Sequence, residues 1–92
     1  MRNVVWLDSA LQDLLVIAEF IADRDPLAAR RLVDRLVDDA DSLALLPAQY
    51  RRGRVAGTHE LVAHPNYILV YRYTMESIEI LNVLHARQRY PR

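Results

Sequence analysis

Cysteine and lysine are absent from the 92-residue sequence, and glycine occurs only twice. Without cysteine the chain has no disulfide, no thiolate nucleophile and no sulfur-ligated zinc, which is compatible with a reducing cytoplasm. Gly53 and Gly57 do not form a phosphate-binding glycine loop. The three histidines lack the i, i+4 spacing of a helical metal site. We therefore expect neither a bound metal nor a cofactor.

Long hydrophobic runs are also missing. No segment reaches the roughly 18 consecutive apolar residues that a membrane span requires, and the N-terminal residues lack the apolar run of a signal peptide. A chain of this length forms one domain, which buries roughly 60–65% of the surface of its unfolded chain. The sequence predicts a single domain, residues 1–92, in the cytoplasm and away from membranes.

The net charge of zero conceals two oppositely charged halves. Residues 1–49 contain five Arg and nine acidic residues, a net charge of −4, whereas residues 50–92 contain seven Arg and three acidic residues, a net charge of +4. The guanidinium group of Arg binds carboxylates and phosphates through two parallel hydrogen bonds. A coding bias toward Arg explains the missing lysine equally well, so the basic half indicates an anionic partner without identifying it.

Two segments have the apolar spacing of amphipathic helices, separated only by residues 24–26. Ser9 and Gln12 have the form of a capping box for the first helix, and Asp25 followed by Pro26 predicts the start of the second. The short joint predicts an antiparallel helical hairpin. The residues expected to face the core are Leu11, Leu14, Leu15, Ala18, Ile21 and Ala22 in the first helix and Ala29, Leu32, Val33, Leu36, Ala40 and Leu43 in the second.

Four segments are rich in β-branched and aromatic residues and predict strands at residues 3–6, 54–64, 67–73 and 78–86. The expected fold is α+β: an N-terminal strand and an antiparallel helical hairpin packed on a mainly antiparallel four-stranded sheet, in the order β-α-α-β-β-β. Gly57 is expected to mark a bend in the second strand. Because no third helix remains, part of the second sheet face should be open to a partner.

The basic half of the chain contains the side chains of a metal-independent ribonuclease. Such an enzyme needs a group that accepts the 2′-hydroxyl proton, positive charge beside the phosphate, and a group that protonates the leaving oxygen. Glu60 or His85 could serve the first role, Arg54 and Arg72 the second, and His85 or Tyr90 the third. Each residue type is also common in purely structural roles. Whether Arg72 and His85 share a sheet face depends on the register of their hairpin.

Val16 and Phe20 lie four residues apart on the side of the first helix opposite its main apolar stripe. Two interpretations are open for this pair. The two side chains pack against the second helix, or they form an edge on which a partner helix docks.

Several motifs in the second half occur in a distinctive order. They are Gly53-Arg54-Val55 with Gly57 and Glu60-Leu61-Val62, then His64-Pro65-Asn66-Tyr67, and finally Val83-Leu84-His85-Ala86-Arg87 followed by an aromatic residue and Pro91. In this order the sequence resembles, over nearly its whole length, the RelE/ParE superfamily of type II toxin–antitoxin toxins, and within it the ParE-like branch. The fold of that superfamily is the one expected above.

The resemblance implies a cognate antitoxin, whose C-terminal segment wraps the toxin along the helical hairpin and the sheet. We expect its contacts at Val16, Phe20, Arg51, Arg52 and Arg54. DNA would be contacted only indirectly, because the antitoxin normally carries the DNA-binding part.

The resemblance also implies two different targets. ParE-like members are growth-inhibiting poisons of DNA gyrase, and on this interpretation Arg87, Arg89 and Tyr90 contact the target without catalysis. RelE-like members cleave mRNA on the ribosome, and on this interpretation the catalytic residues are Arg54, Glu60, Arg72, His85 and Tyr90. The missing lysine favours gyrase, because several ribonuclease members use lysine and Arg is a poor proton donor. A third hypothesis is an inactive relative that keeps only the fold.

Overall fold

A computed structural model describes residues 1–91 of the chain. Its elements are β1 (Asn3–Trp6), α1 (Asp8–Ala22), α2 (Pro26–Ser42), a short 3-10 helix (Pro47–Gln49), β2 (Arg51–Arg52), β3 (His59–His64), β4 (Tyr67–Tyr73) and β5 (Ser77–His85). Neither α1 nor α2 is long and apolar enough to cross a membrane.

The strands form one sheet in the order β1-β5-β4-β3-β2, in which β1 pairs with β5 in parallel and all other pairs are antiparallel. This arrangement confirms the predicted α+β fold, with a fifth strand of two residues added at the edge. The second predicted strand begins at His59 and not at residue 54, because residues 53–58 form the loop that joins β2 to β3. Gly57 has a φ of 81° and forms a turn in that loop, before β3, and not the bend within a strand that the sequence predicted.

The starts of the two helices differ in how well the sequence predicts them. The Oδ1 atom of Asp25 accepts a hydrogen bond of 3.0 Å from the backbone N–H of Ala28, and Pro26 is the first residue of α2, as predicted. The prediction that Ser9 forms a capping box is wrong. Helix α1 begins one residue earlier, at Asp8, and the Ser9 hydroxyl donates to the carbonyl of Leu81 in β5. A long-range bond therefore replaces the expected local one.

The main core lies between the helical hairpin and one face of the sheet, here called the inner face. Its buried side chains include Leu32, Leu36, Ala40 and Leu43 of α2 and Leu61, Leu69, Tyr71, Ile78, Ile80 and Val83 of the sheet. The predicted stripe of α1 is partly wrong, since Leu11 and Leu15 are exposed and Ala10, Leu14, Ile17 and Ile21 face the core. Because α1 has apolar residues on most of its circumference, spacing alone did not determine which side packs.

The opposite face of the sheet, here called the outer face, carries a second cluster of buried residues. Ile68, Val70 and Leu84 are buried there, with Leu81 and Tyr90 packed against them. The expectation that part of this face is open holds only at its margin, where Val62 is exposed. The centre is covered by Tyr90.

An extra residue in β5 decides which side chains project from each face. Val70 pairs with Asn82 and Tyr71 with Ile80, so Leu81 has no partner on β4 and forms a bulge. Before the bulge Ile80 faces the helices, and after it Val83 does. His85, two residues beyond Val83 and opposite Tyr67, consequently lies on the inner face, whereas Arg72 pairs with Glu79 on the outer face.

Tyr71 is the largest of the fully buried side chains. Its hydroxyl donates a hydrogen bond to the carbonyl of Pro47, which connects β4 to the 3-10 helix after α2. Burial raises the pKa of the Tyr71 phenol above its usual range, and the neighbouring Tyr50 and Tyr73 raise it further. The phenol therefore remains a protonated donor.

Replacing Tyr71 by Phe should lower the free energy of unfolding by about 1–3 kcal/mol, because the buried Pro47 carbonyl loses its donor. Urea denaturation checks this. The unfolded chain loses the phenol proton first as the pH rises past about 10, so the parent should lose stability there and the Phe variant should lose less. The control is Tyr73→Phe, which changes a less buried ring and should lower the free energy of unfolding by less than about 0.5 kcal/mol. Equal losses in both variants would contradict the role of the Tyr71 hydroxyl.

Candidate functional site

Residues 86–91, here called the tail, fold back onto the outer face of the sheet. Tyr90 packs against Ile68, Val70 and Leu84, and its hydroxyl donates a hydrogen bond of 3.0 Å to Oδ1 of Asn82. The tail also turns tightly at its start, where the backbone N–H of Gln88 donates to the carbonyl of His85 over 2.9 Å. These contacts hold the tail on the sheet in one position.

A polar network connects the tail to the first helix. Oδ2 of Asp13 in α1 accepts hydrogen bonds from Nδ2 of Asn82 at 2.9 Å and from the backbone N–H of Val83 at 3.1 Å. Asn82 therefore lies between Asp13 on one side and Tyr90 on the other. Sequence reasoning missed Asp13, Asn82 and Gln88. Only Asn82 carried a signal, since it is the one amide that interrupts the apolar run of β5.

Glu60 is the most buried charged residue in the site, with 2% of its side chain exposed. Its Oε1 atom accepts from the guanidinium of Arg51 at 2.9 Å. Its Oε2 atom lies 3.3 Å from Nε of Arg54 and accepts from the Arg54 backbone N–H at 3.0 Å. Both carboxylate oxygens are thus occupied, so Glu60 stabilises the β2–β3 hairpin, and its predicted role as a proton acceptor would require these bonds to break.

Arg54 also connects the hairpin to the tail. Its guanidinium Nη1 lies 3.5 Å from the carbonyl oxygen of Gln88, at the long limit of a hydrogen bond. Glu60, Arg54 and the tail therefore form a continuous structure across the outer face. Of the predicted catalytic residues, the structure therefore brings Arg54, Glu60 and Tyr90 together on the outer face.

The other two predicted catalytic residues, Arg72 and His85, have no hydrogen bond or ion pair to Glu60 or Arg54 in the described residues, and the His85 side chain bonds only to the start of the tail. Arg72 is on the outer face, but its guanidinium is paired with Glu79. His85 is exposed at the end of β5, where its ring meets the Tyr67 ring edge-on at 5.6 Å on the inner face. His85 and Tyr90, the two candidate proton donors, therefore lie on opposite sides of β5.

Arg87 and Arg89 of the tail are exposed. In the described part of the chain the ion pairs are those of Arg51, Arg54 and Arg72, so neither tail guanidinium has a carboxylate partner there. Two unpaired cations on a fixed segment form a surface suited to an anionic or acidic partner. Residues 1–91 also contain no cluster of His, Asp or Glu side chains arranged to bind a metal ion.

The remaining residues with a predicted binding role are all at the surface. Val16 and Phe20 are 66% and 64% exposed, so the interpretation that they pack against the second helix is wrong. Arg51 and Arg52 are exposed in β2. Val16 lines a shallow pocket together with His85 and with Gln88 of the tail, so this side of α1 adjoins the start of the tail.

Glu60→Gln should lower the free energy of unfolding by about 1–3 kcal/mol, because the amide of Gln places a donor where two Arg donors need an acceptor. Urea denaturation measures the loss, and hydrogen exchange should quicken at the Arg54 amide. Glu79→Gln is the matched control. It breaks an exposed pair with Arg72 and should cost less than about 1 kcal/mol. A control that loses as much as Glu60→Gln would show that burial of the Glu60 pair has no special effect.

Comparison of the sequence with known proteins identifies the family of this chain. The model of the family described as ParE toxin of type II toxin-antitoxin system, parDE, matches residues 4–90. The chain is 42% identical over 91 residues to "Putative toxin Y4kP" of Sinorhizobium fredii, covering 98% of this chain and 94% of that protein. It is 41% identical over 88 residues to "Toxin RelE2" of Caulobacter vibrioides, covering 94% and 97%.

Among solved structures, the chromosomal ParDE TA system from P. aeruginosa matches with a TM-score of 0.82 at 22% identity, over 92% of this chain and 96% of that one. At this identity the match shows a shared fold. The family model and the two curated relatives extend over nearly all of the chain, including β3, β5 and the tail residues up to Tyr90. The protein accordingly belongs to the ParE toxin family of type II toxin–antitoxin systems, within the RelE/ParE superfamily.

Proposed function

We propose that this toxin acts in the cytoplasm by binding DNA gyrase and blocking replication, and that a cognate antitoxin neutralises it. The observation that supports this choice is the tail, which presents the unpaired, exposed Arg87 and Arg89 from a segment held on the sheet. A binding inhibitor needs such a surface and no convergence of proton donors and acceptors.

The fixed position of the tail favours binding. A mobile segment loses conformational freedom when it docks, at a cost of about 0.5–1.5 kcal/mol for each immobilised long side chain and more for the backbone. Tyr90 has already ordered the backbone here, through its packing on Val70 and its bond to Asn82. Tyr90 then supports the contact surface, and the two Arg side chains provide its charge.

The antitoxin has a surface of a different kind available. Val16 and Phe20 are exposed one turn apart on α1, and the exposed Leu11 and Leu15 form a second apolar pair on another side of the helix, with Gln12 and Glu19 between the two pairs. Two exposed apolar pairs on one helix suit a protein partner that packs along it. One of the similar structures is that of a ParDE TA system, which is consistent with an antitoxin as that partner. Arg51, Arg52 and Arg54 remain proposed antitoxin contacts.

A ribosome-dependent mRNA endonuclease is the second candidate. Two observations favour it: one curated relative is named Toxin RelE2, and the exposed His85 ring lies beside the start of the tail, where its Nδ1 accepts from the Arg87 N–H at 3.2 Å. The separation of His85 from Arg72 and Tyr90 argues against it, because an in-line cleavage needs its acid and base around one phosphate.

Nascent DNA and nascent protein labelling, followed over the first minutes after the chain is induced alone in bacterial cells, distinguishes the two targets. We expect DNA labelling to fall first. An earlier fall in protein labelling would replace gyrase by the ribosome as the target. Unchanged labelling of both, with folded protein present, would identify an inactive relative.

Replacing Arg87 and Arg89 together by Ala should abolish toxicity, because the tail loses both of its unpaired cations. The affinity for the antitoxin should change by less than about 1 kcal/mol, the usual effect of exposed charges at an interface margin. Growth after induction measures toxicity and titration calorimetry measures the affinity. The matched control, Arg24→Ala with Arg30→Ala, removes two exposed charges from the helical hairpin and should remain toxic. Full toxicity of the tail variant would exclude the tail as the contact surface.

His85→Gln separates the two candidates at a single residue. If the toxin acts by binding through Arg87 and Arg89, this variant should stay as toxic as the parent, because Gln keeps a side-chain acceptor for the Arg87 N–H and Tyr90 still holds the tail on the sheet. If His85 is a general acid, toxicity and mRNA cleavage should both disappear while the thermal unfolding midpoint is preserved. Growth after induction measures toxicity, and primer extension on ribosome-bound mRNA measures cleavage.

A further inference from the structure

A groove of about 470 Å³ opens between the helical hairpin and the turn that joins β3 to β4. Its lining residues are Ile21, Ala28, Arg31, Leu32, Arg35, His64, Asn66 and Tyr67. Three of them belong to the motif His64-Pro65-Asn66-Tyr67, to which the proposed function assigns no role. The groove lies on the helix side of the sheet, and the carbonyl of Asn66 at its edge accepts a hydrogen bond of 2.7 Å from the backbone N–H of Ala86, the first residue of the tail.

One wall of the groove carries two cations. Arg31 and Arg35 are one turn apart on α2 and both are exposed. Neither belongs to an ion pair within residues 1–91. The nearest influence is that of Asp39, whose pKa is raised mainly by burial while Arg35 acts in the opposite direction. The two guanidinium groups therefore face the groove side of α2 without a carboxylate partner.

The facing wall adds hydrogen-bond donors. The backbone N–H of Asn66 donates to Nδ1 of His64 over 3.1 Å, so the neutral His64 ring carries its proton on Nε2. The Tyr67 ring is held between the rings of His64, at 5.8 Å, and His85, at 5.6 Å. Asn66 and Tyr67 contribute an amide and a hydroxyl. No lining residue is acidic, so the whole groove favours a negatively charged group.

The rest of the lining is apolar. Ile21, Ala28 and Leu32 come from the two helices and form the aliphatic part of the groove. A bare inorganic anion would leave this part uncovered, whereas a carboxylate with an aliphatic stem and apolar neighbours covers it and complements the charge of the two Arg side chains. The groove thus fits the side chain of Glu or Asp, with an apolar neighbour, on a peptide.

We infer that this groove binds an acidic side chain flanked by apolar residues, supplied by the protein partner that neutralises the toxin. The identity of that partner rests on the proposed function; the chemistry of the groove does not. The complementary charges of an acidic side chain and the Arg31–Arg35 pair select this occupant, and the aliphatic lining selects its apolar neighbours. The groove extends the antitoxin contact from the exposed side of α1 to the helix–sheet junction.

The test uses the purified chain and two tripeptide probes, acetyl-Leu-Glu-Leu-amide and acetyl-Leu-Gln-Leu-amide. Nuclear magnetic resonance follows the amide signals of Asn66 and Tyr67 at constant ionic strength. We expect the Glu peptide to shift them along a saturating curve and the Gln peptide to bind at least tenfold more weakly. Equal binding of both peptides would overturn the inference, since only apolar contact would remain. Saturation by inorganic phosphate without saturation by the Glu peptide would overturn it in favour of a phosphate ligand.

Variants locate the effect. Arg31→Gln with Arg35→Gln should weaken binding of the Glu peptide at least tenfold, whereas the matched control Arg30→Gln, on a different side of α2, should leave it unchanged. Thermal unfolding of both variants verifies that the hairpin is intact. A double variant that is folded and binds as the parent does would contradict the assignment of the two Arg side chains.

A growth assay separates this inference from the proposed function. The Arg31→Gln, Arg35→Gln variant should be as toxic as the parent when produced alone, and co-produced antitoxin should rescue it at least tenfold less well. Rescue equal to that of the parent would overturn the inference. A parent that is not toxic at all would instead count against the proposed function, and the tripeptide titration would still decide whether the groove binds an acidic side chain.

Discussion

The buried carboxylate of Glu60 is the interaction on which the arrangement of the basic half depends. A carboxylate removed from water is costly unless hydrogen bonds and opposite charge surround it, and two Arg side chains and one backbone N–H do so here. Those same bonds fix the two-residue strand β2 against β3 and hold the loop that follows it. The position of Arg54, and through it the contact with the tail at Gln88, follows from this one buried charge.

On the other side of the tail, Asn82 has a comparable role for neutral groups. Its amide donates a hydrogen bond to Asp13 of α1 and accepts one from Tyr90. These bonds connect the helical hairpin, the last strand and the tail. The result is that Tyr90 anchors the tail to the sheet. Arg87 and Arg89 therefore stand on a segment whose backbone already contacts the sheet, which lowers the conformational cost of binding through them.

The fold was largely predictable from the sequence, since apolar spacing, Asp25-Pro26 and the short turns each encode local structure. The errors concern long-range contacts. Ser9 bonds to Leu81 and not to its own helix, and α1 turns a different apolar side to the core than its spacing favours. The site was predictable as a set of residue types but not as a geometry. The relative orientation of Arg72 and His85 depends on one unpaired residue, Leu81, in a strand whose two faces are both apolar, and such a pattern does not specify register.

The bulge at Leu81 also determines which kind of mutation changes the face on which His85 lies. Beyond the bulge, Val83 and Leu84 are both buried and both aliphatic, so the end of β5 can exchange its two faces with little change in hydrophobic burial. Loss of a single codon at the bulge would move a histidine from the helix side to the side covered by the tail. An insertion or deletion in the last strand, and not a substitution, is therefore the change that transfers His85 from one face of the sheet to the other.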